Sequence, residues 1–328
     1  MGNRLGWILA GALFVGVLMI VAIHFALPRS QPDQPGKLKD EDFKLIVPSA
    51  PATLVLARLP DGAGNAGEDY RKAVELYSAS KSRMQAAMES ADPSGLPADV
   101  VETLERIAAH VSAGAGKKQM QYAFVAGPSL IEISYHDPVS KDLFDLGEDL
   151  GLLTAYYVRR EEYAKAEKVL LDQFTLGLHM MNERSRADAV RRGMTLQAEA
   201  VGNLAGVLRD RGGEHAKKIP SLREYLDSLN TARSAYDDKI EVIWTPAPNP
   251  VDVFAVIEKD EDPSWRVEAI LVLGILRYTQ ADRSETVRRI ERLLDEYASG
   301  GGKIEAAAAK AARDLTIEDF RVLGSKAF

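Results

Sequence analysis

The sequence predicts a mostly all-α protein: an N-terminal transmembrane helix, then an α-helical, repeat-like soluble domain with at most one or two short strands. Three observations carry this expectation. Leu5 to Leu27 is an uninterrupted apolar run whose one strongly polar member is His24, near its end. Apolar residues advance by alternating threes and fours across Leu143 to Leu208 and again across Val267 to Ile290, the period of a helix with one buried stripe. The best strand candidate, Thr53 to Leu59 (TLVLARL), stands between Pro51 and Pro60, and no second strand of equal quality follows soon.

At about 1.5 Å per residue, a helix over 5–27 measures roughly 35 Å, enough to cross a hydrocarbon core of about 30 Å with some tilt. The run is too long for a secretory signal, and its best exit, Ala22 to Ala26, places His24 where a small residue is wanted. The expectation is an uncleaved signal anchor. Gly6 stands where a myristoylation signal needs Ser or Thr. Arg4 flanks one side of the span, while Arg29, Lys37, Lys39 and Lys44 flank the other, a count that alone favours a cytoplasmic domain. Short positive tails stay inside, however, and long domains translocate regardless of charge. The expected topology is therefore a single-pass protein, N-terminus in the cytoplasm and domain outside. Ala12 and Gly16 offer a small-residue face for a homodimer through the span.

The elements then follow in order. Residues 1–4 form the tail and 5–27 the anchor, and 28–52 is a polar linker stiffened by Pro28, Pro32 and Pro35. Helical period begins near Glu68, with Tyr70, Val74 and Tyr77 on one face. Pro97 opens a second helix that runs to about Val111 and ends at Ser112 to Gly116. From Val139, Leu143, Leu146, Leu150, Leu153 and Tyr157 mark a third, entered through His136-Asp137-Pro138 with Asp137 as cap. Its partner carries Tyr163, Ala166, Leu170 and Phe174. The next, from about Arg186, carries Val190, Met194, Gln197, Val201, Leu204 and Leu208. Helices joined by short polar turns bury such stripes against each other.

Gly212-Gly213 closes this group, and Ser221 with Glu224 reads as a capping box for another helix. Pro246, Pro248 and Pro250 punctuate a bend that divides a helical body, 53–245, from a C-terminal helical region, 246–328. Asn249 before Pro250, and Asp262 before Pro263, read as N-caps with proline at the first helical position. Gly300 to Gly302 separates the last long helices, and Thr316 with Asp319 caps a final short one.

Composition excludes several classes of function. Hydrophobic residues at 46% and charged residues at 27% describe a globular chain rather than a disordered one. A net charge of −7 leaves no basic footprint for nucleic acid. Cysteine is absent, which removes disulfides and thiolate ligands together.

Leu150, Leu153, Tyr157, Tyr163, Ala166 and Leu170 resemble the large and small positions of a tetratricopeptide-type helix pair. Glu161 stands where that family places a turn glycine, Gln173 where it places a small residue, and Leu178 where it closes with proline. Asp262-Pro263-Ser264-Trp265-Arg266-Val267, running on to Leu273-Gly274, resembles the opening of a HEAT-type repeat. A vaguer copy runs from Ile304 through Ala306 to Ala309, Ala312 and Leu315. Glu268 stands where that family prefers Arg. Both resemblances imply helical scaffolding and carry over no catalytic residue.

Gly62-Ala63-Gly64-Asn65-Ala66-Gly67 matches the G-x-G-x-x-G pattern that lets backbone amides approach a pyrophosphate. Pro60 and Asp61 separate it from the strand candidate, and Glu68 and Asp69 set negative charge beside any phosphate. It reads instead as a flexible loop before an acidic first turn. Asp61, Asn65, Glu68 and Asp69 match no calcium-loop spacing. The five histidines, His24, His110, His136, His179 and His215, include no i, i+4 pair, and no nucleophile elbow or P-loop occurs. No catalytic, cofactor or metal residue is assigned. Tyr236, Trp244, Phe254 and Trp265, around the proline bend, read mainly as core; any of them exposed on a concave face would be partner anchors. The expected function is a non-enzymatic interaction scaffold or assembly factor at a membrane, its partner proteins unknown. The alternative is an enzyme or nucleotide-binding protein using Gly62 to Gly67.

Overall fold

The computed structural model describes residues 37–44, 48, 60–89, 95–122, 138–245, 248–279 and 285–319. The anchor 5–27, the strand candidate 53–59, and the residues His24, Asp137, His136 and Pro246 lie outside them. Among the described residues, no helix is long and apolar enough to cross a membrane.

Most described residues are helical: α1 (Ala66–Glu89), α2 (Ala98–Ala115), α3 (Pro138–Arg159), α4 (Tyr163–Glu183), α5 (Ala187–Arg211), α6 (Ile219–Ile243), α7 (Pro250–Lys259), α8 (Pro263–Thr279), α9 (Glu285–Gly300) and α10 (Lys303–Asp314). One short parallel sheet pairs β1 (Gly62–Asn65) with β2 (Lys117–Gln119). Short connections force successive helices to reverse and pack on each other, α1 on α2, α3 on α4, α4 on α5 and α5 on α6. In the C-terminal region α8 packs on α7, α9 and α10. One hydrophobic core runs through all of them, from Tyr70 to Ala312.

The apolar stripes lie where their periods require. Leu143, Leu146, Leu150 and Leu153 of α3, Ala166, Leu170 and Phe174 of α4, and Val190, Met194, Val201, Leu204 and Leu208 of α5 are all buried. Gln197 is buried in the same stripe and accepts the Tyr225 hydroxyl at 2.8 Å. Two caps form as expected. Asn249 Oδ1 accepts Val251 N at 3.0 Å, and Asp262 Oδ1 accepts Ser264 N at 3.0 Å.

Four local expectations are corrected. Gly62–Asn65 is a paired strand rather than a flexible loop, and α1 begins at Ala66, ahead of Glu68. The second helix continues through Ser112-Ala113-Gly114-Ala115, because Gly114 lies flat against the Tyr70 ring, where a Cβ would come within 2.5 Å of Cε1. Ser221 lies inside α6, which opens at Ile219 with Pro220 in its first turn. A proline there costs no hydrogen bond, so it outcompetes the capping box. The end of the linker is docked: Phe43 is buried, Leu38 N donates to Asp252 Oδ1 at 3.1 Å, and Lys239 Nζ donates to Asp42 O at 2.7 Å. Residues 37–44 therefore strap the chain leaving the linker onto α6 and α7.

Glu161, where the tetratricopeptide resemblance expects glycine, has φ +61°. The turn between α3 and α4 thus needs the left-handed conformation, and an exposed Glu adopts it at a cost of about 1 kcal/mol. Gly177 and Gly193 set the closest helix crossing: a Cβ on either would lie 2.6 Å from the carbonyl oxygen of the other. Alanine normally stabilises a helix interior over glycine by about 1 kcal/mol. Here Gly177→Ala is expected to destabilise by about 1–3 kcal/mol through overpacking, whereas Glu161→Gly should stabilise by up to about 1 kcal/mol. Urea midpoints of both variants test the pair, and a stabilised Gly177→Ala would refute backbone contact between α4 and α5.

Candidate functional site

The glycines of the G-x-G-x-x-G segment are used by the chain itself. A Cβ at Gly62 would lie 2.0 Å from Gly116 O, and one at Gly67 would lie 2.9 Å from the Tyr122 backbone. Asn65 Oδ1 accepts the amides of Gly67 at 3.0 Å and Gln121 at 2.8 Å. Asp69 is ion-paired with Lys117. Asp61 and Glu68 are exposed. The glycines thus permit β1 and the start of α1 to lie against the chain around β2.

His179 stands beside this sheet, buried between α1 and β2. Its Nε2 can only donate to the carbonyl of Lys117, at 2.9 Å, so Nδ1 accepts the Tyr70 hydroxyl at 2.7 Å. Burial lowers the imidazole to about 4 and raises the Tyr70 phenol. The pair is a neutral tie joining α1, β2 and α4. His110 and His215 are half-buried and stand elsewhere. Among the described residues no three His, Cys, Asp or Glu side chains are placed to hold a metal ion.

The aromatic residues around the proline bend are packed inward. Tyr236 and Trp265 are buried with ring centroids 4.9 Å apart, Phe254 is buried, and Trp244 is half-buried. They surround a polar network that spacing did not reveal. Glu268 of α8, 1% exposed, accepts Arg186 Nε at 3.0 Å and Nη2 at 2.8 Å, Ala187 N at 3.0 Å and Trp244 Nε1 at 2.9 Å. Asp262 accepts the Tyr236 hydroxyl at 2.7 Å and pairs with Arg184 at 2.7 Å. Lys239 is ion-paired with Asp260, and its ammonium lies 4.5 Å from the Trp265 ring centroid. Burial pulls Lys239 down and pushes Asp260 up. With four donors on its two oxygens and 1% exposed, Glu268 clamps helices together.

Among the described residues, one cleft gathers three arginines beside an aromatic ring. It occupies about 380 Å³ between α3, α5 and α6, and is lined by Phe144, Arg191, Arg192, Thr195, Arg233 and Asp237. Asp188, buried in the first turn of α5, accepts Arg191 at 2.5 Å and Arg192 at 2.7 Å. Burial alone would raise the Asp188 carboxyl, but the two guanidiniums overcome it and hold it below the usual carboxylate range. Arg192 lies 5.5 Å from the Phe144 ring centroid. Arg191 also reaches the half-buried Asp237, at a looser 3.4 Å. Beyond the cleft, the half-buried or exposed residues Thr195, Glu199, Gly202 and Gly206 share one face of α5. A Cβ at Gly202 or Gly206 would meet nothing within 4 Å, so that face is open there. Glu148 of α3 lies within electrostatic reach of Glu199. Burial raises both carboxyls, Glu199 adds to the rise of Glu148, and Arg233 pulls Glu199 partly back.

The arginines were not singled out in the sequence because adjacent Arg residues on a helix read as a solvated face. The available signal was Phe144, an aromatic one position off the apolar stripe of α3. No protein-family model, curated protein or solved structure matches the chain.

Two measurements check these assignments. Glu268→Ala removes the carboxylate on which buried Arg186, Ala187 N and Trp244 converge and is expected to cost about 3–5 kcal/mol in denaturant titration; a loss under about 1 kcal/mol would show that Glu268 is no clamp. For His179, the unfolded imidazole titrates at 6.5 and the native one at about 4. Between those values the unfolded state binds the extra proton, so its contribution is complete above pH 6.5 and is lost as pH falls to 4. The difference amounts to about 3 kcal/mol. Stability measured over that window should depend less steeply on pH in His179→Gln than in the wild type.

Proposed function

We infer that the chain is a membrane-anchored helical-repeat protein that works as a non-enzymatic interaction scaffold or assembly factor, with residues 5–27 as the signal anchor and the open face of α5 as its docking surface. The observation that carries this reading is the open face of α5 at Gly202 and Gly206, on the same helix as the charged cleft between α3, α5 and α6. Rigid helical walls present a preformed surface whose specificity comes from side chains rather than chemistry. The docked strap at 37–44 supports it too. Only residues 28–36 separate the strap from the expected anchor, which limits how far the body stands from the bilayer. The rival reading, an enzyme or nucleotide-binding protein using Gly62 to Gly67, loses support because Gly62 and Gly67 have close backbone neighbours.

Proximity labelling from the full-length protein in its membrane should return a reproducible partner set. That set should shrink when Gly202→Trp or Gly206→Trp covers that face of α5. In parallel, nucleotides and divalent cations should leave the melting temperature unmoved, because a ligand at a hundred times its Kd would add about 2.7 kcal/mol. A clear upward shift with a nucleotide would favour the rival. The anchor and its orientation are tested by a fusion after Phe328: it should run at full size, stay with membranes through an alkaline wash, and light a reporter active only outside the cytoplasm. A soluble, shortened product would replace the anchor with a cleaved signal.

A further inference from the structure

Arg233 stands apart from the other arginines of the cleft. Arg191 and Arg192 share the buried Asp188, and Arg191 reaches Asp237 as well. Arg233 is half-buried at the same cleft, yet among the described residues it makes no hydrogen bond or ion pair. Glu199 acts on it through its field, without a bond. A guanidinium carries five donors in a planar fork that matches a carboxylate two bonds at a time. Half withdrawn from water and facing a cavity, such a group has lost hydration that only an anion replaces in full.

The cleft also displays the chemistry it accepts. Asp237, half-buried on the same α6 one turn beyond Arg233, lays a carboxylate against Arg191 at 3.4 Å, a distance that marks a loose contact beside the 2.5 Å bond from Arg191 to Asp188. Three guanidiniums against Asp188, Asp237 and the neighbouring Glu199 balance, so one positive charge is left when Asp237 turns away from Arg191. That surplus suits one carboxylate. A phosphate dianion would leave the site negative.

We propose that this cleft is an acidic-residue subsite of the docking surface: it binds one carboxylate from a protein partner's acidic segment, with Arg233 as the principal donor, Arg191 as the second, and Asp237 as the internal carboxylate that the guest displaces. Phe144 and the methyl of Thr195 supply the apolar contact for the guest side chain's methylenes. This proposal rests on the scaffold reading and names the chemistry of the partner.

The test uses the full-length protein in detergent or nanodiscs, titrated with a fluorescent peptide of alternating Glu and Ala and with its Gln counterpart. The Glu peptide should bind saturably and the Gln peptide should not. Arg233→Ala should weaken binding about tenfold or more. Arg233→Lys, which keeps charge and loses the fork, should recover part of it, and Asp237→Asn should tighten it. Melting temperatures of Arg233→Ala and Arg233→Lys should match the wild type, because Arg233 makes no internal hydrogen bond or ion pair. Equal binding of the two peptides, unchanged affinity in a folded Arg233→Ala, or displacement of the probe by inorganic phosphate at lower concentration than by acetate would each overturn the proposal. Proximity labelling separates the two levels. A partner set kept by the wild type and unchanged in Arg233→Ala would sink the subsite while leaving the scaffold. Loss of any reproducible partner set would sink both.

Discussion

The Glu268 carboxylate is the junction on which the arrangement of the two ends of the chain depends. It sits on α8, almost wholly out of water, and gathers donors from the start of α5 and the end of α6. Its bond to Ala187 N is an N-cap supplied from outside the helix: Arg186, at the N-cap position of α5, provides no side-chain cap of its own. The negative charge therefore also lies at the positive end of the α5 dipole. Burying an isolated carboxylate is prohibitive, and burying it among two guanidinium donors, an amide and an indole is feasible only in one geometry. That geometry holds α8 against α5, so the C-terminal helices cannot pivot at the proline bend without leaving charge unpaired.

The remaining polar contacts extend the same constraint. Arg184, forced to φ +50° as the C-cap of α4, directs its guanidinium to Asp262, the cap of α8. Lys239 joins Asp260 to the carbonyl of Asp42, so the strap leading from the linker engages the same junction. Phe43 lies under Lys239 and Lys259, with centroid distances of 5.3 and 5.4 Å. A pull transmitted along the linker would thus reach α6, α7 and α8 before it reached α1 or α2. The open face of α5 lies on the helix that Glu268 caps, which couples the rigidity of the junction to the shape of that face.

Much of the helical architecture was legible from the period of the apolar residues. The α3, α4 and α5 stripes, the Asn249 and Asp262 caps and the odd backbone demand at Glu161 all involve neighbours within a turn or two, and local rules govern these. What failed was local evidence facing a distant competitor. The glycine-rich segment looked like a loop because its partner strand, Lys117–Gln119, comes after two intervening helices. Ser112 to Ala115 looked like a terminator because nothing near it shows the Tyr70 ring that the small residues accommodate. The arginine cleft was invisible for a related reason, since Arg191 and Arg233 lie on different helices and neither is unusual on its own.

By itself, the sequence determined the fold class, the helix periods and which face of each helix is apolar, because hydrophobic burial acts through spacing along one chain. It also contains the apolar run from Leu5 to Leu27, long enough to span a bilayer. Only the tertiary structure decided which charges are buried together, which glycines stand at helix crossings, and which arginine of the cleft makes no bond to the rest of the described chain. Pairing is a property of distance in space: Arg186 and Glu268 meet across 82 residues of sequence. A carboxylate's cost or value depends on the donors that surround it after packing is complete.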